Sequence, residues 1–241
     1  MINPKLLKGM WCCIIIMISA KLLIAQEIER KFEISDFDGI SVSSGIKIYL
    51  TQSNDEKILL KGNEEALKKI VVRKTSNGLL ELKFESKSSS LNWNWGKNYE
   101  VKAYISFKTL NQLIASGGSD IISQSDFKLN NLSIISSGGS DINLNLSANY
   151  LKVVTSGGSD IYLKGKANQL NLTASGGSNV KAFGLIVDDI NVVTSGGSDA
   201  ELCAEKSIKA VASGASDIKY KGNTSKSSQS SSGASSIKKV N

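Results

Sequence analysis

Five aspartates recur at the same place in a repeated segment: Asp120, Asp141, Asp160, Asp199 and Asp217 each close a Ser-Gly-Gly-Ser-Asp or Ser-Gly-Ala-Ser-Asp copy, and Asn179 closes another. Carboxylates placed in file invite three chemistries. Acidic pairs beside a groove can cleave glycosidic bonds. Oxygen ligands can hold calcium. Short Asp, Asn and Ser side chains can bond the backbone of a turn. Asn179 keeps the shape and hydrogen bonding of aspartate without its charge, which favours the turn role. The copies differ from Gly-Gly-x-Gly-x-Asp calcium repeats in period and in lacking a third glycine. No histidine occurs in the 241 residues, which removes Ser/His/Asp and Cys/His catalysis and histidine-held metal. The sequence therefore predicts no catalytic residue, no metal and no cofactor.

A second candidate is Leu91-Asn-Trp-Asn-Trp-Gly96, which holds two of the three tryptophans after the polar run 86–90. Alternation with Asn92 and Asn94 would put Trp93 and Trp95 on one face of a strand, where they could stack on sugar rings or pack over an open core edge. Trp93 and Trp95 are the predicted ligand-binding residues. The ligand class is an unidentified surface partner, a polysaccharide or a matrix protein.

The elements that carry these residues follow from the repeat. The first glycines of seven copies are Gly117, Gly138, Gly157, Gly176, Gly196, Gly214 and Gly233, spaced by 21, 19, 19, 20, 18 and 19 residues. Apolar residues lie six and four before that glycine, as at Leu151 and Val153, and four and six after it, as at Ile161 and Leu163. Period two means strands. Each coil reads as a strand, a glycine corner, a second strand and a polar return such as 145–149. No coil can bury its inward column alone, so the coils must stack. The expected fold is all-β, a β-helix or solenoid of ~19-residue coils.

The corner demands a positive φ, which glycine reaches without steric cost. Ala215 and Ala234 replace the second glycine while the first never varies, which predicts positive φ at the first glycine alone. Stacking would put the aspartates about 4.8 Å apart, where they repel by about 1 kcal/mol in water. Backbone N–H groups, lysines or cations could offset that.

Residues 26–115 are strand-like at 46–50, 58–60, 79–84 and 101–107, with one short helix expected at 63–70 capped by Asn63. Ser44-Gly45 looks like a degenerate corner, so the solenoid begins near residue 40. The regular repeats fill 116–221. Residues 222–241 form a degenerate last coil or cap, because Lys239 stands where Leu or Tyr pointed inward.

Lys5 and Lys8, the apolar run 10–20 and Ala25 read as an export signal over residues 1–25. The apolar run is shorter than the ~20 residues of a membrane span, so the mature chain is not membrane-spanning. Cleavage lowers the net charge from +7 to +4 and leaves Cys203 as the sole cysteine, which excludes an intrachain disulfide. Its expected role is that of a small apolar residue beside Leu202. The lysines are scattered, without the basic stripe that nucleic acid needs, so nucleic acid is not a partner.

The segment Phe37-Asp-Gly-Ile-Ser-Val-Ser-Ser-Gly-Ile-Lys-Ile-Tyr-Leu-Thr-Gln52, then Asn77-Gly-Leu-Leu-Glu-Leu82, then the repeats, resembles the auto-transporter adhesin, head GIN domain family across roughly residues 31–220. The resemblance implies an exported bacterial envelope protein with a β-helical fold and brings no catalytic residues. Together these readings predict a non-catalytic adhesin-like binding or structural module in the periplasm, on the outer-membrane surface or outside the cell. The alternatives are a carbohydrate-active enzyme on the solenoid face and a calcium-stabilised scaffold.

Overall fold

The computed structural model describes residues 28–85 and 100–241. The export signal therefore lies outside the described residues. The first strands are β1 (Ile28–Phe32), β2 (Gly39–Val42), β3 (Lys47–Gln52) and β4 (Lys57–Gly62), followed by helix α1 (Glu64–Lys68). Asn63 caps α1 as expected, its side chain accepting from the Ala66 N–H at 2.7 Å. Then come β5 (Ile70–Lys74), β6 (Leu79–Phe84) and β7 (Val101–Phe107).

Strands β2 and β3 flank the Ser44-Gly45 corner and make the first true coil. The solenoid grows from them through β8 (Gln112–Ala115) and β9 (Asp120–Ser123), which pair with β2 and β3 in parallel. It continues through β10 (Phe127–Ser136), β11 (Asp141–Thr155), β12 (Asp160–Ala174), β13 (Asn179–Thr194) and β14 (Asp199–Ala212). It ends in β15 (Asp217–Lys221), β16 (Lys226–Ser231) and β17 (Ser236–Lys239). On the other side of β2 and β3 lies one more tier, β6 and β7, again in parallel. That tier is closed by antiparallel strands, β5 on β6, and β4 then β1 on β7.

The core is a set of columns parallel to the solenoid axis. One runs Leu80, Ile40, Leu113, Ile134, Val153, Leu172, Val192 and Ala210, all buried. Another runs Ile48, Ile121, Ile142, Ile161, Val180, Ala200 and Ile218. Both contain the alternating residues picked out by period two. At the N-terminal end the large side chains concentrate, with Phe107 and Phe127 meeting edge to face at 4.9 Å.

The return is a correction to the sequence reading. It is not a polar loop but a third strand face, because β11, β12, β13 and β14 run unbroken from one corner to the next. Leu146, Ala148, Ala167, Leu185 and Val187 are buried along it. Differences in coil length are absorbed at register shifts outside the corners, between Tyr162 and Lys164, between Ala182 and Ile186 and between Val187 and Asp189.

The corner glycines also differ from expectation. In the coils of Gly157, Gly176, Gly196, Gly214 and Gly233 only the first glycine has positive φ. In the two preceding coils both glycines do, Gly117 and Gly118, then Gly138 and Gly139. Ser44 and Gly45 below them are both left-handed as well. Hydrogen bonding gives the reason. Gly118 N–H donates forward to the Gly138 carbonyl, whereas Gly177, Gly197, Ala215 and Ala234 N–H donate backward to the first glycine of the preceding coil. The corner peptide turns over partway along the stack, and alanine stands at the second position only where φ is negative. The first glycine is held by more than φ, since a Cβ on Gly196 would lie 2.8 Å from the Gly176 carbonyl oxygen.

The last coil is fully formed. On β16 its inward positions are polar, with Ser227 over Ile208, Gln229 over Ala210 and Ser231 over Ala212, while on β17 Ile237 lies over Ile218. Gln229 Nε2 donates to the Tyr220 hydroxyl at 2.7 Å. Strand β16 thus covers this end of the core with polar side chains, which is what a cap requires.

Candidate functional site

In six of the seven corners the buried residue is the second serine, Ser235 of the last copy being half-buried. Ser140 Oγ donates to the Ser137 carbonyl at 3.0 Å, closing the turn upon itself, and Ser119, Ser159, Ser178 and Ser216 do the same. The aspartate does not cap its own corner, which corrects the turn role expected of it. It points outward and meets the coils above and below.

That outward file runs Lys47, Asp120, Asp141, Asp160, Asn179, Asp199, Asp217 and Ser236. Lys47 Nζ lies 3.2 Å from Asp120, a contact that raises the lysine pKa through hydrogen bonding and charge. Asn179 Nδ2 donates to Asp160 at 2.8 Å, and the Asp217 N–H donates to Asp199 at 3.2 Å. Asp141 has carboxylates on both sides. Its pKa is raised, first by burial and then by Asp120 and Asp160. Two of the three anticipated remedies are thus used, a lysine and a backbone N–H, and the asparagine amide adds a third. Among the described residues no group of three or more His, Cys, Asp or Glu could hold a metal ion.

A second outward file lies beside the first on the same face: Lys31, Leu59, Tyr104, Tyr49, Ile122, Asn143, Tyr162 and Lys181. Tyr49 and Tyr104 stack at 5.0 Å with 14° between their rings. Lys181 Nζ lies 4.9 Å from the Tyr162 ring centre. The faces of these rings are turned along the axis, so the face presents their edges and hydroxyls.

The third file changes the surface. Next to Tyr104 stand the short side chains of Thr51 and Ser106, which are paired in register, with Lys57 opposite Ser106 on β4. Tall residues on one side and the β3–β4 turn on the other leave a cavity of about 540 Å³. Its lining includes Phe32, Glu33, Glu56, Leu59, Tyr104 and Gln124, besides Thr51, Ser106, Lys31 and Lys57. Two lysines and two glutamates balance its charge. The Glu56 side chain is only 4% exposed, its Oε2 accepting the Asp36 N–H at 2.7 Å and lying 3.9 Å from Lys108 Nζ. Gln124 Oε1 accepts from the Thr51 hydroxyl at 3.5 Å.

Sequence reasoning named none of these residues as a site. Tyr49, Thr51, Tyr104 and Ser106 could be read as outward positions of alternating strands, but the antiparallel pairing of β4 that walls the cavity has no local signal. The predicted pair, Trp93 and Trp95, lies outside the described residues, in segment 86–99 between β6 and β7. Cys203 is buried at 6% exposure, and burial pushes its thiol pKa up, as suits a packing residue.

The model of the family described as "Putative auto-transporter adhesin, head GIN domain" matches residues 36–224. A solved structure from Bacteroides fragilis NCTC 9343, described as a putative adhesin, is 26% identical with a TM-score of 0.81, covering 89% of this chain and 97% of its own. A structure from Parabacteroides distasonis ATCC 8503, described as a putative lipid binding protein, is 19% identical with a TM-score of 0.71 over 90% and 98%. A putative adhesin from Parabacteroides merdae ATCC 43184 is 21% identical with a TM-score of 0.69 over the same shares. The search of curated proteins found no match.

Proposed function

Because the chain belongs to the auto-transporter adhesin, head GIN domain family, we propose that it is an exported, non-catalytic, adhesin-like binding module of the cell envelope. The cavity of about 540 Å³ between Tyr104 and Glu56 carries this reading, a recess among the described residues where the side-chain ladders of this face give way to short side chains. The export signal read at residues 1–25 and the adhesin-like relatives support an exported location. The stack itself supplies rigidity, so the recess is pre-shaped. Trp93 and Trp95, in the sequence between β6 and β7, are proposed as a second contact. Truncating both to alanine lowers retention on the partner surface if they contribute.

A lipid is the second reading. Phe32 and Leu59 give the cavity an apolar wall, and a structural relative bears the lipid-binding description. To test the function, purified residues 26–241 are passed over immobilised polysaccharides and matrix proteins, and new sugar ends are measured in the same samples. Retention without release is expected; release of sugar ends, or no retention on any surface, overturns the proposal.

A further inference from the structure

Resting on the binding-module reading above, we infer that the cavity takes one or two residues of a neutral saccharide chain. Thr51, Ser106, Gln124 and Glu56 form its polar side, while Leu59 and the edge of Tyr104 form its apolar side. Hydroxyls, an amide and a carboxylate are the groups that exchange hydrogen bonds with sugar hydroxyls, and a pyranose offers C–H faces to the apolar wall.

Other occupants fit less well. An acyl chain would cover the Ser106 hydroxyl without bonding it, and such a group costs about 1–3 kcal/mol when left unpaired. The strands that floor the recess, β3, β4 and β7, are each paired on both sides, so a peptide strand could join only the outer edge of β1 and not the recess itself. A strongly charged polymer meets mixed charge there, with Lys31 and Lys57 standing beside Glu33 and Glu56. Glu56 is the fixed point of the site. It is nearly enclosed and anchored by the Asp36 N–H, so it fixes the wall of the recess against which the other polar groups stand.

The test compares the mature wild-type chain with Ser106→Trp, which fills the recess from an outward strand position, and Gln124→Ala, which removes one polar group from an exposed loop. Thermal melting confirms that each variant folds. The probes are immobilised dextran, mannan, galactan and xylan, with fibronectin and collagen as protein surfaces and vesicles of phosphatidylcholine and phosphatidylglycerol. Expected is retention of the wild type on at least one polysaccharide, lost in Ser106→Trp and weakened about tenfold in Gln124→Ala. Equal retention of a folded Ser106→Trp variant overturns the saccharide site. Retention on vesicles or matrix proteins alone also overturns it while leaving the binding-module reading standing. No retention on any surface defeats both.

Discussion

A Gly-Gly pair of one sequence adopts two conformations in this protein, and that difference sets what each position will tolerate. At Gly158, where φ is not positive and nothing lies within 4 Å of an added Cβ, alanine should stabilise by about 0.4–1 kcal/mol through the unfolded chain. The same change at Gly118 or Gly139 forces alanine into the left-handed region and should cost about 1–2 kcal/mol. Gly157→Val combines that strain with a contact 2.9 Å from the Gly138 nitrogen and should cost more than either. Urea midpoints of the three variants decide the order, and equal losses at 118 and 158 would refute the turned-over peptide. The first glycine was legible because no copy replaces it. The turnover was not, because hydrogen-bond direction between coils leaves no mark on a Gly-Gly sequence.

Two further residue-scale outcomes follow from charge and from an orphan hydroxyl. Asp141 has a folded pKa above its unfolded one, so its charge weighs against the fold at neutral pH, and the relief is complete below the ordinary carboxylate range. Asp141→Asn should therefore raise the melting temperature at pH 7 and leave it unchanged near pH 3. Glu81 has the opposite sign, held low first by its bond to Lys83 and also by Arg73, so its contribution fades as pH falls. Thr155 Oγ1 is buried without a hydrogen-bond partner. Thr155→Val keeps the shape and should gain about 1 kcal/mol in chemical unfolding.

At the scale of elements, the strands were readable wherever one face is buried and the other wet, as at Val101–Phe107, where buried and half-buried residues alternate. Helix α1 was readable from its cap, and Asn63→Ala should cost about 1 kcal/mol of unfolding free energy. What escaped was β5, where Ile70 was read as the end of the helix although the chain turns at Lys69 to pair with β6. The return face escaped for a related reason. Asn130, Asn149 and Asn168 look like loop residues in sequence, yet they form an outward amide file in which Asn149 donates to Asn130 at 2.6 Å and Asn168 to Asn149 at 3.1 Å. Stacking converts loop-prone residues into ladder residues, and only the neighbouring coil reveals it.

For the whole molecule, stability is a sum over neighbouring coils rather than a property of one compact centre. Amide exchange should be slowest in β11, β12 and β13, which are paired on both sides along their length, and faster in β16 and β17, each with a single longitudinal partner. Truncation after Lys221 would remove the polar cap and bare Ile208, Ala210 and Ala212. Light scattering should then report association through the uncovered edge, as expected for an open parallel ladder. The candidate cavity also belongs to this scale, since it lies at the closed end, where antiparallel strands meet the parallel stack.

The confinement of length differences to register shifts away from the corners bears on how such a chain can change over generations. A duplication or loss that spans one whole coil, from corner to corner, lengthens or shortens the rod by a rung and leaves every column continuous. A single-residue insertion next to a corner would throw all inward side chains of that strand to the outside. An insertion at the irregular stretch between Ala182 and Ile186 meets a register already broken there. Heredity can therefore edit this protein by the whole rung or at the loose stitch, and relatives should differ in rung number and, between corners, only by the length of the stitch.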